Sequence, residues 1–190
     1  SSTQEMHYTN KWTKLPSRTL QETTIGIIGY GHIGKRLHTI IAPLTKNILI
    51  YDIIPTITKL PILPGMLTAS QPQLLTMSDY VCICCNYSPE NYHLINKTTI
   101  NQMKPNAYLI NMARGKLVHE EALTEALMNG QLSGAALDVF EEEPLPQTSK
   151  LRYLPNVILS AHNSNSSPTC WLNVHLSTIR SSLESLLNPV

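Results

Sequence analysis

Between Thr24 and Leu37 the chain passes from a β-branched apolar run (Ile25, Ile27, Ile28) through a glycine turn into the opening of a helix. The glycines stand at Gly29, Gly31 and Gly34, a G-x-G-x-x-G spacing. Each permits something that a Cβ would forbid. Gly29 allows a tight turn, Gly31 lets the backbone close on a pyrophosphate, and Gly34 lets the helix pack tightly on the strand. A helix that starts here aims its free N–H groups and its positive dipole end at the phosphates.

The flanks add what three glycines alone do not carry. Ile33, Leu37, Ile40 and Ile41 recur at helical spacing after the turn. A second apolar run, Ile48 to Tyr51, ends in Asp52, 21 residues past Gly31. A carboxylate there accepts hydrogen bonds from an adenosine ribose and repels a 2′-phosphate, so the expected cofactor is NAD rather than NADP. The plainer alternative is an ordinary strand–turn–helix with a surface aspartate.

The 190 residues suffice for one sizeable core. The formal charge is +1, from 14 basic and 13 acidic side chains, with no basic run, so nucleic acid is not the expected partner. The polar start, Ser1 to Glu5, has no apolar signal region, and no run of about 18 apolar residues would span a membrane. Of the four cysteines, Cys82, Cys84 and Cys85 fall in one apolar run, and Cys170 stands apart. The spacing is not that of a zinc site, so no metal is expected. They read as small buried strand residues of a protein in a reducing cytoplasm, with Cys82 and Cys84 on one strand face and Cys85 on the other.

Taken in order, residues 1–23 hold Trp12, Leu15, Pro16 and Leu20 among polar residues and read as an entry arm. A proline-rich connection (Pro55, Pro61, Pro64) follows the first β-α-β unit, and Ser70 and Pro72 open a short helix through Leu74 and Leu75. Tyr80–Cys84 reads as a strand, with Asn86 opening the loop after it. Ile100 and Met103 belong to a short helix, and Ala107–Asn111 is the next strand. Glu120–Asn129 is a helix stopped by Gly130. Ala135–Val139 and Val157–Leu159 are further strands, and Pro168 opens a last helix with an apolar stripe from Trp171 to Leu186. This alternation predicts an α/β fold, a Rossmann-type doubly wound parallel sheet with helices on both faces. Loops at the C-terminal ends of its strands are where ligands bind in such sheets.

The order G-x-G-x-x-G, then Asn111-Met112-Ala113-Arg114-Gly115, then Leu137 to Leu145 (Leu-Asp-Val-Phe-Glu-Glu-Glu-Pro-Leu), then Ala161-His162-Asn163 resembles the D-isomer-specific 2-hydroxyacid dehydrogenases. The resemblance runs from about Trp12 to the end of the chain and implies hydride transfer between NAD(H) and a small 2-hydroxy or 2-keto acid. It implies that Arg114 holds the substrate carboxylate and polarises the carbonyl, a task for a forked guanidinium. His162 would be the general acid/base. Glu143 would hydrogen-bond His162, orient its ring and favour its charged form. Asp138 would face the nicotinamide carboxamide and Asp52 the ribose. His32 and Ile33 in the turn, Asn86, and Ala113 complete the expected cofactor-binding set. Each role has a plainer counterpart: Arg114 bridging surface acids, Glu141–Glu143 as a solvated charge run, His162 as a structural histidine. His7, His38, His93, His119 and His175 carry no partner signal in the sequence.

The chain departs from the family pattern in four places. Asn86 stands where proline is usual, Lys116 where a second glycine is common, His119 where aspartate often opens the helix, and Ala161 where proline often precedes the histidine. Family members also carry about 100 further residues ahead of the position of Trp12, the size of a small substrate domain. The expected organisation is one NAD-binding domain, with a core at about 24–163, an entry arm at 1–23 and an exit helix at 164–190. The apolar faces of the two arms then need a cover, and a homodimer is one way to supply it. A binding module that senses NAD, or a domain inactive by itself, is the alternative to an enzyme.

Overall fold

The structure, a computed structural model, describes residues 17–53, 65–164 and 167–169. The expectations for Trp12, Leu15, Pro16, Pro55, Pro61, Pro64, Cys170 and the helix beyond Thr169 lie outside these residues. The strands are β1 (Ile25–Ile28), β2 (Ile48–Tyr51), β3 (Met66–Thr68), β4 (Tyr80–Ile83), β5 (Ala107–Asn111), β6 (Leu132–Leu137) and β7 (Val157–Leu159). The α-helices are α1 (His32–Ile41), α2 (Gln71–Met77), α3 (Lys97–Gln102) and α4 (Glu120–Met128).

All seven strands form one parallel sheet in the order β3-β2-β1-β4-β5-β6-β7. The chain winds outward from β1 through β2 to β3, then returns to β4 on the other side of β1. That reversal is the switch point of a doubly wound fold, where a crevice opens at the C-terminal edge. Alternate residues feed two cores, as a sheet covered on both faces requires. Ile28, Leu49, Val81, Ile83 and Leu109 pack with Leu74, Leu75, Ile100 and Leu123 of α2, α3 and α4. Ile25, Ile27, Ile48, Ile50 and Cys82 pack on the other face with Ile41 of α1.

Three expectations are corrected. The face of α1 that meets the sheet carries Gly34, His38 and Ile41, while Ile33 and Ile40 are exposed. His38 can be fully buried because its Nδ1 meets the Tyr30 hydroxyl at 2.5 Å. Strand β6 begins at Leu132 and stops at Leu137, so Asp138 and Val139 belong to the loop beyond it. β4 likewise ends at Ile83, with Cys84 beyond it. Strand β3 has no counterpart in the sequence reading, being a three-residue edge strand beside the proline-rich connection.

Capping sets the ends of the helices. Ser70 and Gln73 form a reciprocal capping box on α2, Asn96 Oδ1 accepts from Thr98 N and Thr99 N on α3, and His119 Nδ1 accepts from Ala122 N on α4. His119 thus performs with a ring nitrogen the task that an aspartate oxygen would perform. At the opposite, N-terminal edge of the sheet, Asp79 binds Arg18 at 2.6 Å, Lys104 at 2.8 Å and Thr24 N at 2.9 Å. The bonds from Lys104, Thr24 and Arg18 outweigh the opposing effect of burial and hold its carboxyl down at about 2.

Candidate active site

Because every strand is parallel, the loops after β1, β2, β4, β5, β6 and β7 all open at one edge of the sheet. The glycine turn comes first. Gly29 has φ +94°, and a Cβ there would lie 2.5 Å from the backbone of Cys85, two residues past the neighbouring β4. A Cβ on Gly34 would overlap the Gly29 carbonyl oxygen. Gly31 differs from both. Its φ is −74°, open to any residue, and a Cβ there would meet nothing within 4 Å. Among the described residues, packing gives no reason for a glycine at this position; close approach of a ligand does.

Helix α1 points the same way. Unlike α2, α3 and α4, it has no side-chain cap. The N–H groups of its first turn, around His32 and Ile33, therefore face the open space over Gly31. Asp52, directly after β2, reaches back to this turn, with Oδ2 accepting from Tyr30 N at 2.6 Å. A pyrophosphate over Gly31 and a ribose near Asp52 fit these residues. Asn86 is exposed beyond β4 at the same edge, and its carbonyl accepts from Asn91 Nδ2.

Past β5, Asn111 is buried and organises the next loop. Its Oδ1 accepts from Ala113 N at 3.1 Å, and its Nδ2 donates to the Arg114 carbonyl at 3.0 Å. Ala113 is buried, while Arg114 is exposed and donates through Nη1 to the Ala113 carbonyl at 2.6 Å. The sequence placed Asn111 in the motif but gave it no role. An amide at the last position of an apolar strand was the signal available.

Past β6, Asp138 is buried and fastens the third loop. Its main-chain oxygen accepts from His162 N, its Oδ1 from Asn163 N at 2.8 Å, and its Oδ2 from Ser164 N at 3.0 Å. Burial opposes its ionisation, but the bonds from Ser160, Asn163 and Ser164 prevail and keep the carboxyl below its usual range. The backbone of His162 is held at φ +55°, a left-handed conformation that is costly for a residue with a Cβ. Its Nδ1 lies 2.8 Å from Glu143 Oε2, and Glu143 Oε1 accepts from Phe140 N at 3.0 Å. Of the three consecutive acids, Glu143 is the one that reaches His162. The His162 bond first, and the Phe140 N–H second, hold the Glu143 carboxyl below its usual range. A carboxylate at Nδ1 makes that nitrogen the donor and leaves Nε2 for a reacting group.

The structure also supplies partners for three histidines that the sequence left unassigned. His38 pairs with Tyr30, His119 caps α4, and His93 Nε2 meets Glu141 Oε1. Glu141 lies 48 residues from His93 and Tyr30 eight from His38, separations that spacing does not mark, whereas His119 caps the turn that follows it. Among the described residues no cluster of three or more histidine, cysteine or acidic groups is arranged for a metal ion, and no helix is long and apolar enough to cross a membrane. Burial pushes the thiols of Cys82 and Cys84 up to about 12 and about 11.

Fold and loops together define a dinucleotide-binding α/β domain with the His162–Glu143 pair at the same edge as its glycine turn. The chain belongs to the D-isomer specific 2-hydroxyacid dehydrogenases, whose NAD binding domain model matches residues 1–164. It is 41% identical over 160 residues to a glyoxylate reductase of Thermofilum pendens, covering 81% of this chain and 47% of that one. A D-lactate dehydrogenase from a Sporolactobacillus species superposes with a TM-score of 0.84 at 27% identity, covering 100% of this chain and 60% of that one. A formate dehydrogenase from Staphylococcus aureus in complex with NAD gives 0.82 at 29% identity, with 98% and 56% covered. The chain thus spans less than half the length of the curated relatives it matches.

Proposed function

We propose that this chain is the cofactor-binding and catalytic part of an NAD-dependent oxidoreductase that interconverts a D-2-hydroxy acid and its 2-keto acid. The observation that carries this reading is the 2.8 Å bond between His162 and Glu143 at the edge where Arg114 and the glycine turn also stand. The nicotinamide supplies or accepts hydride at the substrate carbon when bound. Gly29, Gly31, His32, Ile33, Gly34 and Asp52 hold the adenosine and pyrophosphate half, and Asn86, Ala113 and Asp138 line the nicotinamide half. Arg114 binds the substrate carboxylate in a fork and draws electron density from the adjoining carbonyl. His162 Nε2 gives a proton to the carbonyl oxygen during reduction and takes it back during oxidation. Glu143 keeps the ring turned for that exchange through its bond to Nδ1.

In this reading residues 24–163 are the domain core, 1–23 and 164–190 are arms, and a separate substrate domain completes the site. The protein is cytoplasmic, acts on a small molecule rather than on nucleic acid or membranes, and pairs as a homodimer. The 190 residues alone bind NAD and turn over weakly or not at all, because an unclosed site leaves water around the carbonyl and the substrate poorly placed.

The test has two arms. Calorimetry of the chain with NAD should give a saturable heat. Oxidation of NADH with a panel of 2-keto acids, by the longest polypeptide that the gene encodes, should show turnover that His162→Ala abolishes. A flat calorimetric trace, or no turnover with any acid, rejects the reading.

A further inference from the structure

The loop that carries Glu143 is fastened from behind at Glu141. Its Oε1 meets His93 Nε2, and its Oε2 accepts from Glu120 N, at the first turn of α4, at 2.9 Å. The attachment is reciprocal, since Glu141 N donates to Glu120 Oε2 at 3.3 Å. His93 is itself fixed. Its N–H donates to the Lys116 carbonyl at 2.9 Å, its ring stacks on Tyr92 at 3.7 Å, and His119 meets it edge-on at 4.5 Å. Ile95 N and His119 N extend that seam by bonding Leu117 O and Ile95 O. Three segments, around 93–95, 115–120 and 140–143, therefore meet at one carboxylate.

The consequence for Glu143 runs through one residue, Phe140, whose two peptide units are both engaged. Phe140 N donates to Glu143 Oε1, and the Phe140 carbonyl rests against Gly115, one residue past Arg114. Glu141 N, in the same peptide unit as that carbonyl, is bound to Glu120. Loss of the Glu141 carboxylate removes its bonds to His93 and to Glu120 N and leaves the loop tied to α4 by the Glu141 N–H, so the backbone at Phe140 is free to shift and carry its N–H off Glu143 Oε1.

We propose that Glu141 is a positioning residue, with His93 as its partner, that holds Glu143 in register with His162 by clamping the 140–143 loop to the segment that follows Arg114. This rests on the reading of Glu143 and His162 as the acid–base pair. It is tested without cofactor or turnover.

The measurement is an NMR titration of the glutamate carboxyls in the 190-residue chain, together with the Nδ1–H signal of His162. Glu142 is the exposed neighbour in the same acidic run, so Glu142→Ala removes the same charge without touching the clamp. Glu141→Ala should raise the proton affinity of Glu143 about threefold or more relative to Glu142→Ala, which corresponds to a lost fraction of one hydrogen bond to a charged group. It should also weaken the Nδ1–H signal, and Glu141→Gln, which keeps one acceptor oxygen, should restore part of both. Should Glu141→Ala fail to fold, His93→Gln and Glu141→Gln are read in its place, with the same direction expected. Equal Glu143 titrations in the Glu141 and Glu142 variants overturn the proposal. A parent chain that gives no heat with NAD rejects the proposed function and leaves this result readable by itself.

Discussion

Gly115 and Phe140 touch backbone to backbone: a Cβ on Gly115 would overlap the carbonyl carbon and oxygen of Phe140. Arg114 precedes the one, and Glu143 binds the N–H of the other. The loop after β5 and the loop after β6 are therefore one joined surface, and the missing methyl group sets their separation.

Gly115→Ala should open that joint. Rigid backbone cannot yield as a flexible side-chain end can, so the expected cost is about 1–3 kcal/mol. Denaturant unfolding measures it. The Glu143 carboxyl should also move toward its ordinary range, because the Phe140 N–H no longer meets it. A variant as stable as the parent would show that the two loops are not in contact.

Gly31 and Gly34 should separate under the same substitution. Gly34→Ala places a methyl group on the Gly29 carbonyl oxygen, so the turn itself must shift and thermal stability should fall. Gly31→Ala enters open space at an ordinary φ, so stability should stay within about 1 kcal/mol, a lost cap preference offset by a less flexible unfolded chain. NAD affinity should nonetheless fall about tenfold or more, as expected if backbone meets pyrophosphate there. Calorimetry with both variants separates the glycine kept for packing from the one kept for a ligand. Unchanged affinity in Gly31→Ala would contradict the cofactor placement.

Much of this was legible in the sequence for one physical reason. Strands buried on both faces are continuous apolar runs, as β1 and β2 are, and the apolar runs of β5 and β7 are bounded by turn residues that mark them. Local chemistry also announced α2, since Ser70 and Pro72 act within their own first turn. What escaped was set by distant partners. His38 looks misplaced on an apolar face until Tyr30 is seen to cover its Nδ1. Ile33 and Ile40 fit a helical stripe, yet Gly34 brings α1 onto the sheet along a different line. The offset of Glu143 from Asp138 selected one acid of three, whereas nothing local assigns Glu141 to His93, 48 residues away.

Asp79 should govern the acid limb of stability. Its carboxyl titrates at about 2 when folded, against an ordinary 3.8. A depressed folded value means stability that is fully present above the unfolded pKa and lost as pH falls through the folded one. Its partners Arg18 and Lys104 are partly exposed, which weakens the pairing, so Asp79→Asn should cost about 1–2 kcal/mol at neutral pH. That difference should shrink between about pH 4 and pH 2. Parallel denaturation curves for parent and variant at pH 7 and pH 2.5 (a value set by roughly these limits) check this. A gap that persists at the lower pH would assign the effect to packing rather than charge.

Asn111→Asp should be more damaging than its size suggests. One carboxylate oxygen can still accept from Ala113 N, as the amide oxygen does. The other replaces the Nδ2 donor and faces the Arg114 carbonyl, acceptor against acceptor, at a site that is 1% exposed. The cost at neutral pH should be on the order of 1–3 kcal/mol. A proton on the new carboxyl would restore a donor toward that carbonyl, so its folded pKa is raised. Stability relative to the parent is then best below the ordinary aspartate range and declines as pH rises through the folded value. Turnover should fall further than stability, since the Arg114 carbonyl fixes where the guanidinium begins. A variant whose stability gap is independent of pH would mean that Asn111 does not hold this loop through its amide.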